Sequence, residues 1–445
     1  MPISTLEFTK LGPFDQVKFE FDPHINVLIG PNNCGKTTAL LAIAETVIAP
    51  FNIPKKLYRG RARFSVEFDC PNRQSFKASG PFPISFSEKG YWRPPRWKEL
   101  LETVKRLGYC VFIPALRLNT DYRSKGPTVA PRQRTSALIV SPSGEILGEA
   151  PEEVNRNENP VTLMRDERIV QEIIALDYRA YRENNAAVRS IVERIASLAT
   201  RITEGFPMQF SGVAEDKIGL YPEFQTPDGK VPLNVLSQGT QSLLQWLATL
   251  ITGYAKHFEL AGDYAERPGI LIIDEIDAHL HPSWQRRILP ALTKEFPNLQ
   301  VLCSTHSPLM LAGLQAGQIQ LLSRSEQGRI TVSRNNSDVY GWSADEILNF
   351  FLGVTHPTDL NTEQKVRRLN ALRGKEKLSA AEAKELEALR GTVQQALQSG
   401  PIAANLDAMA NGLKQAVAAC SAEKNGKNNR SVRSSKRSTR KPAAR

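Results

Sequence analysis

INVLIGPNNCGKT, residues 25–37, decides how this chain is read. INVLIG (25–30) is a short apolar run ending in Gly-Pro, the pattern of a buried strand entering a loop. Gly30-Pro31-Asn32-Asn33-Cys34-Gly35-Lys36-Thr37 then fits G-x-x-x-x-G-K-[ST], and TTALLAIAETVIA (37–49) follows with helical spacing. Strand, loop and helix in that order are the context this motif requires. Its glycines let successive backbone N–H groups curl around phosphate, and the free amides of the helix start add positive partial charge. Gly30 through Gly35 are therefore expected to cradle the phosphates of ATP. Lys36 should reach the β- and γ-phosphates, Thr37 should ligate Mg2+ through its hydroxyl, and Thr38 should complete the loop.

A second segment fits the same chemistry. GILIIDEIDAHLHP (269–282) is an apolar strand that ends on Asp274 and Glu275. The carboxyl ends of strands are the ligand-binding edge of an open α/β sheet. Two adjacent carboxylates there are costly without a cation or a proton. Mg2+ beside Asp274 and an attacking water beside Glu275 would resolve the cost.

Three further segments carry a family resemblance. LSQGT (236–240) opens a helix and resembles the ABC signature LSGGQ. IDAHLHP (276–282) resembles the D-loop, and STHSP (304–308) the switch-histidine segment. Walker A, signature, Walker B, D-loop and His switch occur in the order of ABC-type P-loop ATPases. The resemblance implies a homodimer in which Ser237 and Gly239 of one protomer close on the γ-phosphate held by the other. It implies His306 against that phosphate in cis and Asp277 coupling the two sites at the interface. Catalysis would then rest on Lys36, Glu275 and His306. Gln238 and Thr240 depart from the signature, and Gln74 and Gln133 are the only candidates weighed for the Q-loop.

Lys36 and Ser237 stand about 200 residues apart, a spacing similar to the RecF, chromosome-maintenance (SMC) and overcoming-lysogenisation branch rather than to transporter ATPases. LSQGTQSLLQWL (236–247), DEIDAHLHPSWQ (274–285) and YGWSADEILNFFLGV (340–354) resemble AAA-type ATPases of bacterial defence systems, including the Septu and retron-linked ones. In the overcoming-lysogenisation branch a fused TOPRIM nuclease needs Asp-x-Asp, and none follows residue 310. The resemblance therefore implies an ATPase whose binding and hydrolysis cycle gates DNA recognition or a nuclease or other effector supplied in trans, in genome maintenance or anti-phage defence. The alternative is a nucleotide-switched scaffold regulating a protein partner, with no nucleic-acid role.

Composition agrees with a soluble globular chain: 41% apolar and 23% charged residues in 445. The sequence has no 20-residue apolar span and no signal-peptide pattern at its start, so the expected location is the cytoplasm, without a membrane partner. Five scattered cysteines without a C-x-x-C pair argue against a zinc knuckle or a disulfide framework. His279-x-His281 falls in the D-loop segment and is read as interface packing rather than as a metal pair. Nine of the eleven net positive charges lie in 424–445, so the basicity belongs to a tail. Such a tail is too charged to fold alone, and it suits either an acidic surface such as nucleic acid or simple solubilisation.

The expected fold class is α/β: an ABC-type P-loop ATPase core with an antiparallel β-subdomain, a helical insertion and a helical carboxyl region. The expected divisions are an amino-terminal ATPase lobe (1–117), a loop-rich and helical insertion (118–207), a second ATPase lobe (208–335), a helical region (336–420) and a disordered basic tail (421–445). Within the insertion, 162–202 reads as one long helix or as a hairpin broken near 183–185.

Overall fold

Alternation of apolar and polar residues builds the first sheet. Ile3–Leu11 (β1) and Phe14–Glu20 (β2) pair antiparallel with Leu6 opposite Phe19 and Phe8 opposite Val17, so their apolar side chains share one buried face. Tyr58–Phe68 (β4) and Phe76–Pro81 (β5) extend this sheet in the order β2-β1-β4-β5. Between β2 and β4 in sequence come Ile25–Ile29 (β3) and Lys36–Val47 (α1). The computed structural model describes residues 2–47, 58–68, 76–81, 86–87, 90–91, 108–115, 167–217, 219–259, 262–354, 359–375 and 378–398. The part of the expected insertion before residue 167, Gln74, Gln133 and the basic tail lie outside the described residues.

Chain order continues with the short pair Phe86–Ser87 (β6) and Gly90–Tyr91 (β7), then Tyr109–Ile113 (β8), Glu167–Arg182 (α2) and Ala186–Ile202 (α3). Gln209–Glu215 (β9), Leu220–Thr226 (β10) and Gly229–Pro232 (β11) form a three-stranded antiparallel sheet. Gln238–His257 (α4), Gly269–Ile273 (β12), Pro282–Glu295 (α5) and Leu299–Ser304 (β13) follow. Ile319–Arg324 (β14), Ile330–Arg334 (β15) and Ala344–Leu352 (α6) complete the first of two compact units, residues 1–354.

The six-stranded sheet runs β15-β14-β3-β13-β12-β8, parallel from β14 to β8 with β15 antiparallel at the edge. It is a mixed sheet in an α/β fold. Its central strands β3, β13 and β12 are mostly apolar because both faces are covered. Val27, Ile29, Leu271, Ile273, Val301 and Cys303 point into a core shared with α2, α3 and α4. Leu28, Ile270, Ile272 and Leu302 point into a second core shared with α1 and the β1–β2 sheet. Two glycines allow tight packing on the first face. A Cβ at Gly253 would lie 1.8 Å from Tyr109 Oη, and one at Gly269 would lie 2.0 Å from Tyr254 Oη. The two tyrosine rings meet edge to face at 5.0 Å in the space so left.

The helical stretch expected over 162–202 is a hairpin. Asn184 takes a left-handed conformation (φ 46°), and Asn185 caps α3 by accepting from the amides of Ala187 and Val188. Val188, Ile191, Ile195, Leu198 and Ile202, spaced three and four apart, form the buried stripe of α3.

The second unit comprises residues 355–445. Its described part is a helical hairpin, Leu360–Arg373 (α7) and Ala380–Gln398 (α8). Ser379 and Glu382 make the reciprocal bonds of a capping box: the serine hydroxyl accepts from the Glu382 amide, and the Glu382 carboxylate accepts from the Ser379 amide. Arg368 grips Glu385 with two bonds of 2.8 and 2.9 Å, and Leu369, Leu372 and Val393 are buried in this unit. Exposed ion pairs of this kind contribute little, because solvent and salt screen them.

Candidate active site

β3, β13 and β12 are neighbours in the parallel part of the sheet, so their carboxyl ends open on one edge. The first to leave the sheet is β3. Gly30 turns the chain at φ +146°, where a Cβ would fall 2.3 Å from the Leu322 carbonyl oxygen of β14. Gly35, at φ +94°, is crowded by Pro13 and Phe14 of the β1–β2 turn, each 2.7 Å from where a Cβ would be. The loop is thus wedged between two elements, and only glycine fits at either contact. Asn33 between them is left-handed (φ 62°), Pro31 and Asn32 are exposed, and Cys34 is buried.

α1 begins at Lys36, leaving its first amides free of helical partners. Lys36 Nζ donates to the carbonyls of Gly30 at 2.8 Å and Pro31 at 3.2 Å, folding the side chain back over the loop. Burial there lowers the Lys36 pKa, opposed electrostatically by its neighbours Cys34, Asp274 and Glu275. Thr37 Oγ1 donates to Asp274 Oδ2 at 2.7 Å, joining residues 237 positions apart. Thr38 lies half-buried beside it.

Asp274, only 3% exposed, sits at the end of β12 with its amide bonded to the Ile113 carbonyl of β8. Its second carboxylate oxygen accepts from the hydroxyl of Ser304, at the end of β13. The Ser304 hydroxyl also accepts from the Glu275 amide at 2.8 Å. Hydrogen bonds to a charged group contribute roughly 1.5–3 kcal/mol each, so the two hydroxyls offset much of the cost of burying this carboxylate. Glu275 projects to an exposed position from a left-handed backbone (φ 48°), an unusual conformation for a residue other than glycine. His306, two residues beyond Ser304, is also exposed. Lys36, Thr37, Asp274 and Glu275 therefore meet on one edge.

Ser304 belongs to the STHSP segment, and nothing in the sequence gives it a role of its own. A serine ending a buried apolar strand next to a strand ending in Asp-Glu is the signal that could have found it.

The LSQGT segment occupies a different neighbourhood. Ser237 is exposed and caps α4, its hydroxyl accepting from the Thr240 amide at 3.3 Å and pairing with the Thr240 hydroxyl at 2.9 Å. Thr240, which departs from the signature, thus contributes to the cap. Gly239 packs on the segment after β12: a Cβ there would lie 2.4 Å from the His279 carbonyl oxygen. Asp277 Oδ1 is buried without a hydrogen-bond partner among the described residues. His281 caps α5, its Nδ1 accepting from the Ser283 amide at 3.3 Å. Gln285 of α5 ties two loops together, donating to the Leu280 carbonyl and accepting from the Ser307 hydroxyl at 2.6 Å.

The donor set suits a hard cation. A hydroxyl and a carboxylate oxygen meet at Thr37 and Asp274, the few protein ligands that Mg2+ takes when phosphate and water supply the rest. Among the described residues no group of three or more His, Cys, Asp or Glu could hold a metal ion, so a cage built of protein ligands alone is not part of the described site. Nor is any helix of the described residues long and apolar enough to cross a membrane.

Comparison with known proteins bears on these same segments. A family model described as "AAA domain, putative AbiEii toxin, Type IV TA system" matches residues 135–312, and one described as "AAA domain" matches residues 5–70. Two segments of the chain match AAA-type domains. The shorter AAA match contains Gly30–Thr37, and the longer contains Ser237, Asp274, Glu275 and His306. The chain is similar to the retron Vc95 probable ATPase of Vibrio cholerae serotype O1 biovar El Tor, 36% identical over 25% of this chain and 22% of that one. It is similar to the Septu protein PtuA of Bacillus thuringiensis, 28% identical over 33% of this chain and 38% of that one. The OLD nuclease of Thermus scotoductus is 25% identical over 69% of this chain and 60% of that one. These matches span less than two thirds of each relative's length. A solved SMC head bound to the C-winged helix domain of ScpA aligns over 76% of this chain and 98% of that one, at 15% identity and a TM-score of 0.43.

Proposed function

We propose that this chain binds ATP with Mg2+ on the edge formed by β3, β13 and β12, hydrolyses it, and works as a homodimer whose cycle gates DNA recognition or a partner effector. The observation that carries the reading is the bond from the Thr37 hydroxyl to the buried Asp274 carboxylate. It would join the two halves of a P-loop site from segments 237 positions apart. Similarity to proteins named as retron and Septu components and as a nuclease supports the defence setting.

In this reading Gly30 to Gly35 present their amides to the phosphates, and Lys36 exchanges its bonds to the Gly30 and Pro31 carbonyls for bonds to phosphate oxygens. When bound by Thr37 and Asp274, Mg2+ supplies charge neutralisation to the phosphates. Ser304 holds Asp274 by its hydroxyl and fixes the Glu275 amide, so the Glu275 carboxylate stands at the rim, where it orients a water and accepts its proton. His306 stands at the same edge as a donor to the terminal phosphate. Ser237 of a second copy, with Gly239 behind it, closes the site at the free amino terminus of α4. Asp277, whose Oδ1 is buried without a hydrogen-bond partner among the described residues, would couple the two sites across the interface.

Binding of Mg-ATP to the full chain, followed by calorimetry, tests the reading. Lys36→Ala is expected to weaken it roughly ten- to a hundredfold, the worth of lost bonds between charged groups. Asp274→Asn should remove the dependence on Mg2+. Equal affinity of wild type and Lys36→Ala would sink the assignment.

A further inference from the structure

Arg324 closes β14, two residues beyond Leu322, whose carbonyl presses against Gly30. It lies outside every motif of the site. Its Nη2 donates to the Asn33 carbonyl at 2.6 Å, and its Nη1 donates to the Gly328 carbonyl at 3.0 Å. The planar guanidinium is thereby held from two sides, by the phosphate loop and by the turn between β14 and β15, which the Gly328 amide closes on the Ser325 carbonyl at 2.8 Å.

The bond has a directional consequence. In a trans peptide the C=O and the following N–H point in opposite directions. With the Asn33 carbonyl turned outward to Arg324, the Cys34 amide is turned away from Arg324. Asn33 is left-handed (φ 62°), the conformation that lets neighbouring amides converge on an anion. Asn33 and Arg324 are both exposed, so without the arginine this carbonyl would face water with nothing to fix its peptide plane. We propose that Arg324 is a positioning residue of the phosphate loop, holding the Asn33 peptide so that the Cys34 amide faces a bound triphosphate. This inference rests on the ATP-binding reading above.

Mg-ATP affinity of the full-length chain distinguishes it. Arg324→Ala binds about tenfold more weakly, the worth of one charge-assisted hydrogen bond. Arg324→Lys recovers most of the loss, because an ammonium still donates to the Asn33 carbonyl. The gap between wild type and Arg324→Ala persists at about 0.5 M salt, where a distant charge would be screened but a direct bond would not. Melting without nucleotide is unchanged in both variants, since the side chain is exposed. Wild-type affinity in Arg324→Ala, failure of the lysine to rescue, or closure of the gap by salt would each overturn the proposal. Lys36→Ala runs alongside. If it loses binding and Arg324→Ala does not, only the role of Arg324 falls. If Lys36→Ala binds as wild type does, the phosphate-loop reading fails and takes the proposal with it.

Discussion

Glu275→Gln is expected to stop turnover while leaving ATP bound. Glutamine matches the shape of glutamate and can still orient a water, but it cannot accept the proton. Loss of a positioned general base costs about a hundred- to ten-thousandfold in rate. The rest of the site should survive. The bond between residue 275 and Ser304 uses the backbone amide, Asp274 keeps both hydroxyl donors, and the left-handed backbone at φ 48° suits either side chain alike. Single-turnover phosphate release, measured beside ATP retention on a filter, reads both halves. Turnover within a few-fold of wild type would mean that Glu275 is not the base.

Gly30→Ala should damage both the loop and the fold through a single added methyl. Alanine at φ +146° carries backbone strain of about 1–3 kcal/mol, and crowding adds an amount of similar size. The crowding arises because the new methyl would meet the Leu322 carbonyl oxygen at 2.3 Å. That oxygen is backbone, and β14 cannot retreat easily because Leu321 is in register with Ile29 of β3. The loop must therefore shift, taking its amides with it, so ATP binding and stability in urea both fall. Gly205→Ala is the control: its φ is +84° and nothing lies within 4 Å of the new methyl. It should lose stability through strain alone and keep its affinity for ATP. Equal effects of the two substitutions would show that the contact with β14 is not what fixes the loop.

The architecture was legible where periodicity is unambiguous. Mostly apolar runs such as GILII and LQVLCS are parallel strands buried on both faces, and they carry Asp274 and Ser304 to one edge because the strands are neighbours. The phosphate loop and the Asp-Glu pair were legible because their chemistry dictates residue type and spacing. Ser304 was not: a hydroxyl at a strand end looks ordinary until two chain segments 30 residues apart are seen to meet. Arg324 was not, for the same reason over 291 residues. The reason for glycine at 239 was also hidden. Sequence offered a signature residue aimed at a nucleotide, while within the chain the position is dictated by the His279 carbonyl against it. Contacts set by tertiary approach leave no local pattern to read.

Mixing two inactive chains is the most direct measurement of the composite site. Lys36→Ala disables the loop, and Ser237→Arg, at an exposed helix cap, disables the opposing surface without touching the core. Each variant alone should turn over no ATP. In a dimer of one chain of each kind, one of the two sites combines an intact loop with an intact serine, so the mixture should regain activity that neither component has. A mixture that stays inactive, or Ser237→Arg chains that hydrolyse ATP unaided, would contradict the account.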